Sequence, residues 1–146
     1  MCMIVDVNIA HKVFFFADDA DFGEIHESLF TDKKPHAKIV FGGYLGVEYG
    51  RSGKIRRIIV ELSRAGRARK IDDNAVNQEQ AQLEGSGLCR SDDPHIIALA
   101  RVSSVRLLCS HDVNLHVDFT NHLLLSNPRG KVYQNRSHSN LLRRFC

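Results

Sequence analysis

Residues 2–9 read Cys-Met-Ile-Val-Asp-Val-Asn-Ile, a short apolar run rich in β-branched residues with an acid at its polar end. Such a run fits a buried β-strand over 2–7, and Asp6-Val7-Asn8 marks where it leaves the core. Ile9–Phe16 carries apolar side chains densely enough for a buried helix, and Asp18, Asp19 and Asp21 mark the loop behind it. Phe22, Ile25, Leu29 and Phe30 recur at helical spacing and predict a second short helix. Thr31–His36 is polar, contains Pro35 and reads as a loop. Ala37–Phe41 (AKIVF) is then a second strand, closed by Gly42-Gly43.

The same alternation continues. A short helix is expected over Tyr44–Arg51. After Gly53 a longer one sets Ile55, Ile58, Ile59, Leu62 and Ala65 on one face and Arg56, Arg57 and Arg64 on the other. Lys70-Ile71-Asp72 reads as a brief edge strand, and Asn74–Glu84 as an exposed polar helix ended by Gly85-Ser86-Gly87. Asp93–Val102 (DPHIIALARV) is the clearest helix: Asp93 suits the N-cap and Pro94 the first helical position. Val105–Cys109 (VRLLC) is a strand whose polar end is Ser110-His111-Asp112. A short helix near Asn114–Phe119, a strand over Lys131–Tyr133 and a basic tail over Asn135–Arg144 complete the chain. Strands alternating with helices predict a largely parallel sheet covered on both faces.

Length and composition fit one globular domain over 1–146, with its core at about 3–133 and a basic tail over 134–146. Apolar residues make up 43% and charged residues 25%, which excludes a disordered chain. The net charge of +3 does not by itself announce a nucleic-acid binder. The distribution says more: bases gather over Arg51–Lys70 and Arg136–Arg144, while several acids end apolar runs. Cys2, Cys89, Cys109 and Cys146 show no CxxC spacing, so they support neither a zinc site nor a secreted disulfide framework. Cys109 reads as a buried reduced thiol. No signal peptide is evident and no apolar run reaches the roughly 20 residues of a membrane span, so a cytoplasmic location is expected.

In open α/β sheets, ligands bind at the carboxyl ends of the strands. Asp6 ends the first strand, Asp112 follows Val105–Cys109, Asp93 opens the helix beside them, and Glu48 follows AKIVF. Grouped carboxylates repel one another unless cations neutralise them, and hard oxygen ligands select Mg²⁺ or Mn²⁺. Each acid also has an ordinary reading. Asp93 before Pro94 is what a structural N-cap looks like, Asp112 suits an Asx-turn, and Glu48 suits a solvated helix face. Asp6 is the hardest to dismiss, because an acid at the end of so apolar a strand is costly without a partner.

Three segments add a resemblance. Ile4–Ile9 (IVDVNI) resembles the opening strand of PIN domains, with the pattern DxN. Asp92–Ala100 (DDPHIIALA) is similar to that family's third acidic motif, an Asp opening a helix as DxxIxxxA. Leu107–Leu115 (LLCSHDVNL) is similar to the fourth, a strand followed by [ST]xD. The motifs stand in the family's order from residue 3 to about 133. Glu48 is the best match to the family's second acid, although Gly42-Gly43-Tyr44 departs from the usual approach to it.

The resemblance implies a PIN-like three-layer α/β/α sandwich with a central, mainly parallel sheet. It implies a metal-dependent endoribonuclease with one or two Mg²⁺ or Mn²⁺ ions. Carried over, Asp6, Asp93 and Asp112 would be metal ligands and Glu48 a fourth catalytic acid. Ser110 would orient the site, Asn8 would support it or contact phosphate, Asp92 would assist Asp93, and Asp118 would join the rim. His95 and His111 are expected at exposed flanks. Arg51, Arg56 and Arg57, with Arg136, Arg143 and Arg144, are candidates to track RNA phosphates. The resemblance further implies the toxin of a toxin–antitoxin pair, with an antitoxin partner and a homodimer as expectations. The alternatives are a catalytically inactive PIN-like module that binds RNA or protein, and a nuclease acting on DNA.

Overall fold

The computed structural model describes residues 1–143. Five strands form one parallel sheet: β1 (Cys2–Val5), β2 (Lys38–Phe41), β3 (Ala68–Lys70), β4 (Leu107–Cys109) and β5 (Lys131–Tyr133), in the spatial order β3-β2-β1-β4-β5. Seven α-helices connect them: α1 (Val7–Phe15), α2 (Gly23–Phe30), α3 (Gly43–Gly50), α4 (Gly53–Arg64), α5 (Asp73–Ser86), α6 (Pro94–Ser103) and α7 (Val113–Thr120). The first two crossovers step outward from β1 to β3, and the later ones step back to β4 and onward to β5. Right-handed crossovers in opposite directions place their helices on opposite faces, which gives the expected three-layer α/β/α sandwich. α1 packs on α2 and α4, α5 runs along α6, and α3 touches α1, α5 and α6 near the strand ends.

β1 is the central strand, with β2 on one side and β4 on the other. Cys2 and Met3 are in register with Lys38 and Ile39 of β2, whereas Ile4 and Val5 are in register with Leu108 and Cys109 of β4. Beyond the last residue of β1 the Tyr49 hydroxyl of α3 donates to the Val5 carbonyl. Met3, Ile4, Ile39, Leu107 and Leu108 are fully buried, as a central strand between two helical layers requires.

The helices follow their sequence signals. In α4 the Ser52 side chain caps the Ile55 amide at 3.3 Å, and Ile55, Ile59 and Leu62 are buried opposite exposed Arg56 and Arg57. α6 starts with Pro94, and residues His95–Ala100 are all buried, so its first turns are enclosed on every side. The glycine pair after β2 has a steric cause. Gly43 takes φ +56°, and a Cβ there would lie 2.6 Å from Val76 Cγ1 of α5, while Asp73 Oδ1 accepts from the Gly43 amide at 2.8 Å.

Several boundaries differ from expectation. Val7 opens α1 instead of ending β1, because Asp6 is already the N-cap. The edge strand is Ala68–Lys70 rather than residues 70–72, since Asp72 is spent capping α5 through the Ala75 amide at 2.9 Å. Ala65, expected on the apolar face of α4, is its exposed C-cap. α5 is not simply a solvated helix, because Val76 and Leu83 are buried against its neighbours. The expected basic tail is a 3-10 helix over Arg136–Arg143 with Leu142 buried; Arg144 lies outside the described residues.

Cys109 and Cys89 are free thiols, and Cys109 is buried as expected. Cys2 is disulfide-bonded, which the sequence reading did not anticipate, because close spacing was its only guide to pairing. Among the described residues no helix is long and apolar enough to cross a membrane.

Candidate active site

The sheet has its topological switch point between β1 and β4, where successive connections leave in opposite directions. In sheets of this kind ligands bind at the carboxyl ends of the strands beside that point. Asp6 emerges from β1 and Ser110-His111-Asp112 from β4, and the Asp6 amide extends the ladder by donating to the Cys109 carbonyl at 3.0 Å. Asp6 is only 3% exposed and Ser110 is fully buried. The Ser110 hydroxyl donates to Asp6 Oδ2 at 2.8 Å and accepts from the Asp112 amide at 3.0 Å, so one side chain ties both acids to the end of β4. Asp112 Oδ1 in turn caps α7 by accepting from the Leu115 amide at 3.1 Å. The ordinary reading of Asp112 as a turn former is thus realised alongside its place in the candidate site.

Asp93 behaves otherwise. It occupies the N-cap position of α6, yet its carboxylate caps no amide. Partial burial pushes the Asp93 carboxyl above the usual carboxylate range; His95 opposes the shift, and Asp6, Glu48 and Asp112 add to it. Asp6, Glu48 and Asp112 thus each lie within electrostatic reach of Asp93.

Glu48 is not a solvated helix-face residue. His95 Nε2 lies 2.7 Å from Glu48 Oε1, and the two side chains are 4% and 16% exposed. His95 was expected at an exposed flank. It is instead buried, because the second residue of α6 faces α3 across the helix interface. His111 does lie at an exposed flank, with Nε2 3.1 Å from the Gln134 carbonyl oxygen.

Asp118, expected at the pocket rim, is 1% exposed and turned to the backbone. It accepts from the Arg90 amide at 2.9 and 3.0 Å and from the Ser91 amide at 2.8 Å, which fixes the segment leading into Asp93. Asp92 is exposed and lines a recess of about 370 Å³ with Tyr44, Gln80, Glu84 and His95. Asn8 is exposed in the first turn of α1, and only its amide approaches Asp6 Oδ1, at 3.4 Å.

The candidate phosphate-binding arginines separate. Arg51 places its guanidinium 5.4 Å from the centre of the Tyr44 ring and donates to the Tyr44 hydroxyl at 3.0 Å. Tyr44 packs edge-on against His95 at 5.0 Å, so Arg51 adjoins the acidic site through two rings. Arg56 and Arg57 are exposed on α4, and Arg56 borders an apolar groove with Phe41, Tyr49 and Ile59.

Two participants escaped the sequence reading. The buried Tyr49 phenol, pushed well above its ordinary pKa by burial and further by Asp6, stays protonated and donates to the Val5 carbonyl. His116 Nε2 lies 2.6 Å from the Ser110 carbonyl oxygen, and its Nδ1 lies 2.9 Å from Gln134 Nε2. Its position four residues after Asp112, on the same helix face, was the available signal.

The donor set of the candidate site is entirely carboxylate and hydroxyl oxygen, which in kind suits a hard divalent cation. In spacing it is open: among the described residues no group of three or more His, Cys, Asp or Glu stands close enough to hold a metal ion.

No family model matches the chain, and no curated protein matches it. Among solved structures, the crystal structure of VapBC2 from Rickettsia felis bound to a DNA fragment from their promoter is similar, at 14% identity and a TM-score of 0.47. The match covers 92% of this chain and 100% of that one. A TM-score at that level is too low to place this chain in a family or to carry a function across.

Proposed function

We propose that this chain is a metal-dependent phosphodiesterase of PIN-like type that cleaves RNA. What supports the proposal is that Asp6, Glu48 and Asp112 each lie within electrostatic reach of Asp93, beside the switch point of a parallel sheet, and help raise its carboxyl. Carboxylates near one another are mutually unfavourable without a cation, and functional sites are where such groups collect. The order of the DxN, DxxIxxxA and SxD segments supports the same reading.

Asp6, Asp93 and Asp112 would hold one or two Mg²⁺ or Mn²⁺ ions, with Glu48 as the fourth acid. A metal so bound lowers the pKa of a coordinated water and stabilises the attacking and leaving oxygens of an in-line phosphoryl displacement. The chain's own groups do the positioning: Ser110 fixes Asp6, the cap to α7 fixes Asp112, and Asp118 fixes the backbone before Asp93. Arg51, next to Tyr44, would take a flanking phosphate. A role as the toxin of a toxin–antitoxin pair, with an antitoxin covering the site, is the biological setting that the motif resemblance suggests.

The test is cleavage of single-stranded RNA in the presence of Mn²⁺ by the wild type, Asp6→Asn and Asp93→Asn, with DNA of the same sequence as competitor. Wild-type cleavage that both variants lose supports the proposal, and cleavage retained in both variants would sink it. A second reading, a PIN-like domain that binds RNA or protein without cutting, is favoured by the open spacing of the acids. It predicts no Mn²⁺-dependent thermal stabilisation in the wild type.

A further inference from the structure

We propose that His95 is a positioning residue of the acidic site, fixing the Glu48 carboxylate for metal binding; the inference rests on the nuclease reading above. Residues two apart on a helix point to nearly opposite sides, so His95 does not face Asp93, its neighbour in sequence. It reaches across to α3, where Nε2 meets Glu48 Oε1 at 2.7 Å. The single α6 N-terminus therefore addresses two acids: Asp93, which it carries, and Glu48, which it holds from outside.

The ring is itself held. Tyr44, four residues before Glu48 on α3, packs against it with centroids 5.0 Å apart and planes at 84°. With His95 3% exposed, the imidazole has no solvent to exchange for its partner. Glu48 differs from the other acids in how it is tethered. Asp6 and Asp112 are short side chains, one bonded to Ser110 and the other capping α7, whereas Glu48 has a longer, more rotatable stem and is repelled by the other acids. Bound to His95, the Glu48 carboxylate commits one oxygen to the imidazole and makes no other side-chain hydrogen bond among the described residues. The second oxygen is thus available to a cation.

A buried His–Glu pair also costs desolvation that an apolar pair at the same α3–α6 contact would not, so stability alone gives little reason for it. Outer partners of metal-binding carboxylates act in this way, and their loss typically costs about 10- to 100-fold in metal affinity or activity.

The experiment compares wild type, His95→Leu, His95→Gln, His95→Asn, Glu48→Gln and the His95→Leu/Glu48→Gln double variant. Two readouts are used: Mn²⁺ affinity by electron paramagnetic resonance titration of the free protein, and kcat on single-stranded RNA. His95→Leu is expected to weaken both by about 10- to 100-fold. In the Glu48→Gln background the same change should cost nothing further, because its effect passes through Glu48. His95→Gln, whose amide N–H can reach the Nε2 position, should recover most of the loss. His95→Asn, whose amide ends one bond short, should not.

The Gln-against-Asn comparison carries the test if the leucine variant does not fold. A wild type that binds Mn²⁺ and cleaves RNA, with His95→Leu equal to it or with losses that multiply in the double variant, overturns the assignment while leaving the nuclease reading intact. A wild type that neither binds Mn²⁺ nor cleaves overturns the nuclease reading and the assignment together.

Discussion

Asp118→Ala strips the acceptors from two backbone amides that have no other partner among the described residues. The carboxylate is 1% exposed and accepts from the amides of Arg90 and Ser91, at 2.8 to 3.0 Å, across 27 and 28 residues of sequence. Hydrogen bonds to a charged acceptor contribute about 1.5–3 kcal/mol each, and an amide left buried and unpaired costs about 1–3 kcal/mol. Alanine should therefore destabilise the domain by about 4 kcal/mol. Asp118→Asn retains one carbonyl oxygen, turns charged bonds into neutral ones, and should cost about 2 kcal/mol.

For a domain of this size those losses correspond to falls in Tm of about 14 and 7 °C. Urea unfolding with matched m-values gives the comparison directly. The segment freed by the mutation leads into Asp93, so Mn²⁺ stabilisation should fall in Asp118→Ala even at temperatures where the variant remains folded. A loss below about 1 kcal/mol in Asp118→Ala would refute the view that this carboxylate anchors the approach to Asp93.

Three other outcomes follow from the structure. Asp93 holds its proton to higher pH in the folded chain than in the unfolded one, so its contribution to stability falls as pH rises from the ordinary carboxylate range through the native value. Metal-free Asp93→Asn should therefore have a higher Tm than wild type at neutral pH, and the gap should close on acidification below about pH 4; a pH series of thermal scans shows either result. Gly130→Ala would put a Cβ 2.0 Å from the Phe119 carbonyl oxygen, a backbone atom that cannot swing aside, and should cost about 3 kcal/mol or more by urea titration. Arg51→Ala should reduce the slope of log K against log salt for single-stranded RNA by about 0.7, whereas Arg56→Ala and Arg57→Ala should leave it nearer the wild-type value.

Much of this site was legible because its acids follow apolar runs. A strand buried on both faces must be apolar throughout, so Asp6 stands out at the end of β1 and Asp112 just past β4, and β5 is where its pattern placed it. Residues whose role depends on a distant partner were not legible. His95 looks like any polar residue in the first turn of a helix until Glu48, 47 residues earlier, is brought against it. Asp118 sits on an ordinary amphipathic helix, and only the fold turns it toward Arg90 and Ser91. Gly42-Gly43 reads as a generic turn, because nothing near it in sequence announces that Val76 will pack on Gly43. The edge strand β3 shifted for the opposite reason: a weak three-residue strand is placed by its neighbours, here the α5 cap at Asp72, more than by its own pattern.

The central place of β1, between an early strand and a late one, has a consequence for how the protein is made. Residues up to Lys70 contain everything needed for β1, β2 and β3 to align, but they hold only Asp6 and Glu48 of the four acids. Asp93 and Asp112 arrive with the second half of the chain, and the other edge of β1 waits for Leu108 and Cys109. A ribosome-bound chain can thus assemble one wing of the sheet early while its acidic site remains incomplete until the last third of the polypeptide has emerged. An RNA-cutting protein built in this order would be inert for most of its own translation.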